Sequence, residues 1–182
     1  MSTNLVVAFA GRIGAGKSSV SAAFAEDLGW KFASFGAFVR KTATERGIYH
    51  SRKSLQAVGA ELEATDATKF CRAVLDDVAW SAGEPLVVEG IRHVRILGIL
   101  KRQVASQPVF LVYLEAPEEL RRNRLQERDA QEAQHLERAE THSTERDVIA
   151  ELPLLADLVL STEGATVADL VQQIKAKALL AS

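Results

Sequence analysis

One cysteine in 182 residues, Cys71, excludes an internal disulfide. Set beside Phe70 and Val74, it reads as a packing residue rather than a nucleophile, and a reducing compartment suits such a chain. No apolar stretch approaches the roughly 20 residues needed to cross a bilayer. The N-terminal run from Leu5 to Ala10 is too short for the core of a secretion signal and has no basic segment ahead of it. An excess of positive charge is also missing: 22 Lys and Arg against 24 Asp and Glu leave a net charge of -2, which gives no electrostatic reason to bind nucleic acid or an anionic membrane. His50, His93, His135 and His142 lack metal-ligand spacing and read as surface side chains, and there is no Cys-rich zinc site. No repeat, low-complexity tract or linker divides the chain. These absences point to one cytoplasmic domain over residues 1–182, monomeric or a small homo-oligomer, and its 47% of hydrophobic residues suffice for a real core.

Short apolar runs alternate with helical segments, which predicts an α/β fold: a parallel five-stranded sheet with helices on both faces. The strand candidates are Asn4–Ala10, Lys31–Ser34, Leu86–Glu89, Val109–Leu114 and Leu158–Ser161, apolar throughout as expected of strands covered on both sides. Val58, Leu62, Phe70, Val74 and Val78 recur at helical spacing after Leu55, either as one long helix or as two with a break near Thr65 and Asp66. Thr166 and Asp169 form a capping box ahead of Val167, Leu170, Val171 and Ile174. Trp30 and Trp80 fall at element ends and read as packing.

Between Leu125 and Val148 the only large apolar side chain is Leu136, so this stretch cannot anchor itself in a core. It is either a solvated helical hairpin or a lid over a charged ligand. The second reading draws on the arginines in and around it: Arg121, Arg122, Arg124, Arg128, Arg138 and Arg146.

The residues with the clearest chemistry are Gly11 to Ser18, GRIGAGKS, which satisfy G-x-x-x-x-G-K-[ST] between an apolar strand and the helix-like segment Ser19–Leu28. In such a loop, Gly11, Gly14, Ala15 and Gly16 let backbone N–H groups curl around a phosphate, and the helix that follows, starting near Ser19, points its positive end at the anion. Lys17 is placed to reach the β- and γ-phosphates, and the Ser18 hydroxyl to ligate Mg²⁺. A nucleoside triphosphate is therefore the expected ligand. A GTPase would need an Asn-Lys-x-Asp segment and an Asp-x-x-Gly switch, and neither is present. A mechanical ATPase would bring a larger domain with a signature sequence.

Together with the loop, several segments resemble the P-loop small-molecule kinases. Ser34 to Arg40 (SFGAFVR) is similar to the adenylate kinase segment whose last arginine grips the acceptor phosphate. The resemblance gives Arg40 that role and places Gly36 beside the acceptor, with Ala37 standing where the family has aspartate. Val87 to Arg92 (VVEGIR) resembles the family's strand ending in Asp-Gly followed by an arginine, which makes Arg92 a second hand on the acceptor. Leu120 to Asp129 resembles the start of the kinase lid, with Arg124 and Arg128 facing the triphosphate, and Arg138 or Arg146 supplying its far side. Ala156 to Gly164 is similar to the closing strand and loop of the superfamily, whose backbone lies against adenine, so Gly164 is a nucleotide-binding candidate. The resemblance implies a three-layer P-loop fold, an acceptor-binding helical segment near 36–82 and a lid near 118–148.

Two subgroups pull apart over the acceptor. Arg52 to Glu61, containing LQAVGAE with Gln56, resembles phage-type deoxynucleoside monophosphate kinases, whereas the Glu-Gly-Ile-Arg turn is equally close to dephospho-CoA kinase-like proteins. A phosphate acceptor is already ionised and needs charge neutralisation, while an alcohol needs a base. Two arginines against one acid, Glu89, favour a phosphate acceptor, with Glu89 orienting Mg²⁺ through water. The expected reaction is transfer from Mg-ATP to a (deoxy)nucleoside monophosphate. A hydroxyl acceptor of the dephospho-CoA type and a non-catalytic ATP switch are the alternatives.

Overall fold

The computed structural model describes residues 4–128 and 148–180, with backbone alone at Arg128. Five parallel strands form one sheet: β1 (Val6–Gly11), β2 (Lys31–Ser34), β3 (Leu86–Ile91), β4 (Val109–Glu115) and β5 (Leu158–Ser161), in the order β2-β3-β1-β4-β5. The described helices are α1 (Lys17–Leu28), α2 (Phe35–Glu45), α3 (Arg52–Asp77), α4 (Val94–Gln103), α5 (Glu118–Arg128), the single turn α6 (Leu152–Leu155) and α7 (Val167–Ala178). Among the described residues no helix is long and apolar enough to cross a membrane.

Alternation along the central strand makes the three layers. Val6, Ala8 and Ala10 face one core with Phe70, Val74 and Leu75 of α3 and Ile96 and Leu100 of α4. Leu5, Val7 and Phe9 face the other, with Val20 and Phe24 of α1 and Leu170, Val171 and Ile174 of α7. Both faces of β1 are covered, so its sequence shows no polar alternation.

Strand positions agree with the sequence expectation to within two residues, and the differences have physical causes. β1 starts at Val6 and continues through Gly11, while β3 and β4 run on to Ile91 and Glu115. The expectation of two-sided burial fails at β5. It is an edge strand whose burial alternates, with Leu158 and Leu160 packed inward and Val159 44% exposed. The long helix takes a form between the two alternatives. α3 is a continuous run broken at Asp66, whose φ of -162° and ψ of 93° are not helical, and whose Oδ1 accepts from Lys69 N–H at 2.9 Å to restart the helix. The Thr166–Asp169 capping box is present. Its Thr166 hydroxyl and N–H donate to the Asp169 carboxylate and hold it below the usual range.

The two tryptophans pack as expected. Trp30 meets Phe24 edge to face, and Trp80, 4% exposed, donates its indole N–H to Glu84 O. Cys71 is fully buried, and burial pushes its thiol pKa up to about 12.

The connection leaving β1 runs to β2 on one side of it, and the connection leaving the adjacent β3 crosses to β4 on the other. In open parallel sheets a crevice opens at the carboxyl ends of strands at such a point. The loop from Gly11 to Gly16 sits there.

Candidate active site

The P-loop is shaped by close contacts. Gly11 has φ +145°, and a Cβ on it would lie 2.2 Å from Leu114 O of β4. Its glycine is demanded by the neighbouring strand. Gly14 has φ +78°, and a Cβ there would come within 2.9 Å of Arg121 O of α5. Inside the loop Ala15 N–H donates to Arg12 O at 3.1 Å, and Lys17 Nζ donates to the same oxygen at 2.8 Å. Helix α1 opens with Gly16 as N-cap, in the left-handed region, with no side-chain cap and no acidic residue in the first turn. The first helical bond is Val20 N–H to Gly16 O at 3.1 Å, so the preceding amides of the turn have no intrahelical acceptor. Helix starts of this kind suit anions.

Glu89 lies next to it, at the end of β3 and 7% exposed. Its Oε1 accepts from Ser18 Oγ at 3.2 Å and its Oε2 from Ser34 Oγ at 2.8 Å. The β1–β3 register explains the aim of this side chain. Phe9 pairs with Glu89 but Ala10 pairs with Ile91, leaving Gly90 as an extra residue at φ +93°. The bulge turns the strand end towards the loop.

One cavity of about 600 Å³ joins these elements. Its lining includes Gly14 and Gly16 to Ser19 of the loop and start of α1, Glu89 and Arg92 at and after β3, Gly36 and Arg40 of α2, Gln56 of α3, and Thr162, Val167 and Leu170 near β5 and α7. The sequence-predicted residues Gly14, Gly16, Lys17, Ser18, Ser19, Gly36, Arg40, Gln56, Glu89, Arg92 and Arg124 are therefore brought together. Gly11, Ala15 and Gly164 do not line it: Gly11 abuts Leu114, Ala15 is buried beneath the loop, and Gly164 turns at φ +68° with open space around it. The side chain of Arg128, and Arg138 and Arg146 altogether, lie outside the described residues.

Arg124 clamps two loops. It donates from Nη1 to Thr162 Oγ1 at 2.8 Å and to Gly14 O at 3.4 Å, and from Nη2 to Thr162 O at 3.1 Å. Arg121 departs from the sequence reading, which grouped it with the arginines of a lid over a charged ligand. It is fully buried and donates to Ile13 O and Ala116 O, each at 3.2 Å, tying α5 to the P-loop. Its spacing to Leu125, one helical turn on and 2% exposed, was the available signal of a buried face. His93 also departs from its reading as a surface histidine. It lines the cavity, and its Nε2 lies 3.2 Å from Glu63 Oε2.

Comparison with known proteins gives the family and the fold. The AAA_18 family model, described as an AAA domain, matches residues 7–145. A UPF0200 protein of Aeropyrum pernix is 31% identical over 124 residues, 68% of this chain; the match spans 65% of that relative's length. A gluconokinase from Sinorhizobium meliloti 1021 superposes with a TM-score of 0.62 at 18% identity, covering 100% of this chain and 95% of that one. Shikimate kinase from Acinetobacter baumannii, in complex with shikimate, superposes at 0.57 with 20% identity over 98% and 94% of the two chains. At these identities the likeness carries the fold, a parallel five-stranded sheet with helices around it.

Proposed function

Because the chain belongs to the AAA_18 family, a family of P-loop kinases, we propose that it transfers the γ-phosphoryl group of ATP to a nucleoside monophosphate. The observation that carries this reading is that Arg40 and Arg92 share one cavity with Lys17, Ser18 and Glu89. On this reading Lys17 and Ser18 serve the donor and Arg40 and Arg92 the acceptor, with Glu89 in the same cavity.

The residues present fit Mg-ATP. The uncapped, acid-free start of α1 suits a phosphate chain, and Ser18 Oγ, already directed at Glu89, is the hydroxyl that a phosphate-bound cation requires. Bound Mg²⁺ would supply charge neutralisation at the triphosphate. Lys17 would exchange its bond to Arg12 O for the phosphates, Ser18 would hold the metal, and Glu89 would hold the metal's water while anchored by Ser34. Arg124 keeps the loop carrying Thr162 against Gly14, which shapes the donor end.

At the acceptor end Arg40 and Arg92 balance the charge of the incoming phosphate. An acceptor that arrives ionised needs no general base, so Glu89 is free to serve the metal. Val39, Leu55 and Phe70 line the same end as an apolar slot for a base. Beside it, Gln56 Nε2 is buried with no hydrogen-bond partner among the described residues, a donor suited to a base edge.

A coupled assay with Mg-ATP tests the proposal against ribo- and deoxyribonucleoside monophosphates, dephospho-CoA, gluconate and shikimate. The highest kcat/KM is expected with a nucleoside monophosphate. Turnover confined to the hydroxyl acceptors overturns the acceptor, and silence on all overturns the kinase reading in favour of an ATP-binding switch.

A further inference from the structure

The cavity contains a pair that the phosphoryl-transfer reading leaves unused. His93 Nε2 and Glu63 Oε2 are 3.2 Å apart, their side chains are 19% and 18% exposed, and both residues line the cavity with Arg92. Glu63 projects from the stripe of α3 that also presents Gln56 and Gly59. A carboxylate has the wrong sign for an acceptor phosphate. In an anion-binding cavity it is tolerated where it meets a part of the acceptor that donates hydrogen bonds. His93 is the N-cap residue of α4 but its side chain makes no capping bond, so the imidazole is not occupied in holding that helix. Arg92 and His93 are consecutive, about 3.8 Å apart at Cα, and both reach the one cavity. They address neighbouring parts of a bound acceptor, and in a nucleoside monophosphate the part next to the phosphate is the sugar.

We infer that Glu63, oriented by His93, accepts hydrogen bonds from the hydroxyl groups of the acceptor's sugar, which makes a ribonucleotide the preferred acceptor over its deoxy counterpart. The inference rests on the nucleoside monophosphate reading above. Hydroxyls are donors to an ionised carboxylate, and such charge-assisted bonds are the stronger class. An acceptor lacking the hydroxyl forfeits that bond, and a site built to hydrogen-bond a hydroxyl discriminates against an analogue without it. Glu63 is then a specificity-determining residue and His93 a positioning residue.

The test is steady-state kinetics on AMP, GMP, CMP and UMP with their 2′-deoxy and 2′,3′-dideoxy forms, using wild type, Glu63→Ala, His93→Ala and His93→Gln, each with its unfolding midpoint. Wild type is expected to favour the ribo form by about 10–100-fold in kcat/KM, the value of a hydrogen bond to a charged group. Glu63→Ala should erase that preference through the KM of the ribo form, leaving kcat, the KM for ATP and the KM for the dideoxy form little changed. His93→Ala should move part of the way, and His93→Gln, which still donates to the carboxylate, should recover most of the loss. Wild-type turnover without a ribo preference, or a loss in Glu63→Ala that is equal across all sugars, overturns the inference alone. Wild-type silence on every monophosphate overturns the nucleotide reading, and this inference with it.

Discussion

The Ser18 hydroxyl donates to Glu89 Oε1 at 3.2 Å across 71 residues of sequence, joining the first turn of α1 to the bulged end of β3. Ser34 donates to the other oxygen of the same carboxylate at 2.8 Å. Two hydroxyl donors, one on each oxygen, hold the carboxylate in one orientation. Replacing Glu89 by Gln turns one of those acceptor atoms into a donor. Activity should fall by about 10–100-fold, the usual cost of a second-layer metal partner, and raising Mg²⁺ should restore most of it. A steep pH-dependent loss that Mg²⁺ does not touch would instead mark Glu89 as a base for an alcohol.

Arg40→Ala and Arg92→Ala should each raise the acceptor KM by about 1.5–3 kcal/mol in free-energy terms, while the KM for ATP stays nearly constant. Both line the cavity together with Lys17, Ser18 and Glu89, and on the proposed reading they meet the acceptor and not ATP. Initial-rate kinetics with each substrate varied in turn decide the matter, and an equal rise in both KM values would place these arginines elsewhere in the reaction.

Arg124→Ala should raise the KM for ATP and leave the acceptor KM alone, because its bonds run to Thr162 and Gly14 at the donor end. Arg124→Lys should not rescue it. A single ammonium cannot reproduce a planar fork that reaches the hydroxyl and the carbonyl of one residue together. Full recovery in the lysine variant would show that charge alone matters there.

Gly11→Ala tests the fold rather than the chemistry. The new Cβ would meet Leu114 O at 2.2 Å with φ at +145°, and the strain plus displacement of β4 should cost about 3 kcal/mol or more. Chemical denaturation measures it. An unchanged midpoint would mean that the β1–β4 contact is far softer than its spacing.

Cys71 supplies a pH prediction. Burial raises its thiol from an ordinary 9.0 to about 12, so above pH 9 the unfolded chain loses a proton that the folded chain keeps. The group's contribution to stability is complete below the unfolded value and declines as pH rises towards about 12. Native protein at pH 8 should resist thiol reagents, and denatured protein should react at once. Rapid labelling under native conditions would contradict the burial.

What the sequence revealed and what it hid divide along a physical line. The P-loop pattern was legible because its residue types are dictated by backbone chemistry at adjacent positions, and Arg40, Gln56, Glu89 and Arg92, singled out by resemblance to kinase segments, do line one cavity with it. Arg121 was misread because a charge that satisfies buried carbonyls looks, in sequence, the same as one that faces a ligand. Its partners, Ile13 O and Ala116 O, are main-chain atoms that no pattern of side chains announces. The His93–Glu63 contact was hidden for a related reason: it joins the start of α4 to the middle of α3, and only the fold sets that distance. The alternating burial of β5 depended on which strand ends up at the margin of the sheet, a property of strand order rather than of local composition.

Strand order also partitions the two ends of the cavity. Arg40, Gln56 and Arg92 hang from elements on the β2–β3 side of β1, Arg124 and Thr162 from elements on the β4–β5 side, and they meet only over the loop that β1 feeds. On the proposed reading, a protein wired in this way is a chassis with one replaceable flank: exchanging the segment from Phe35 to Asp77 would retailor the acceptor pocket while Lys17, Ser18 and Arg124 stay in place.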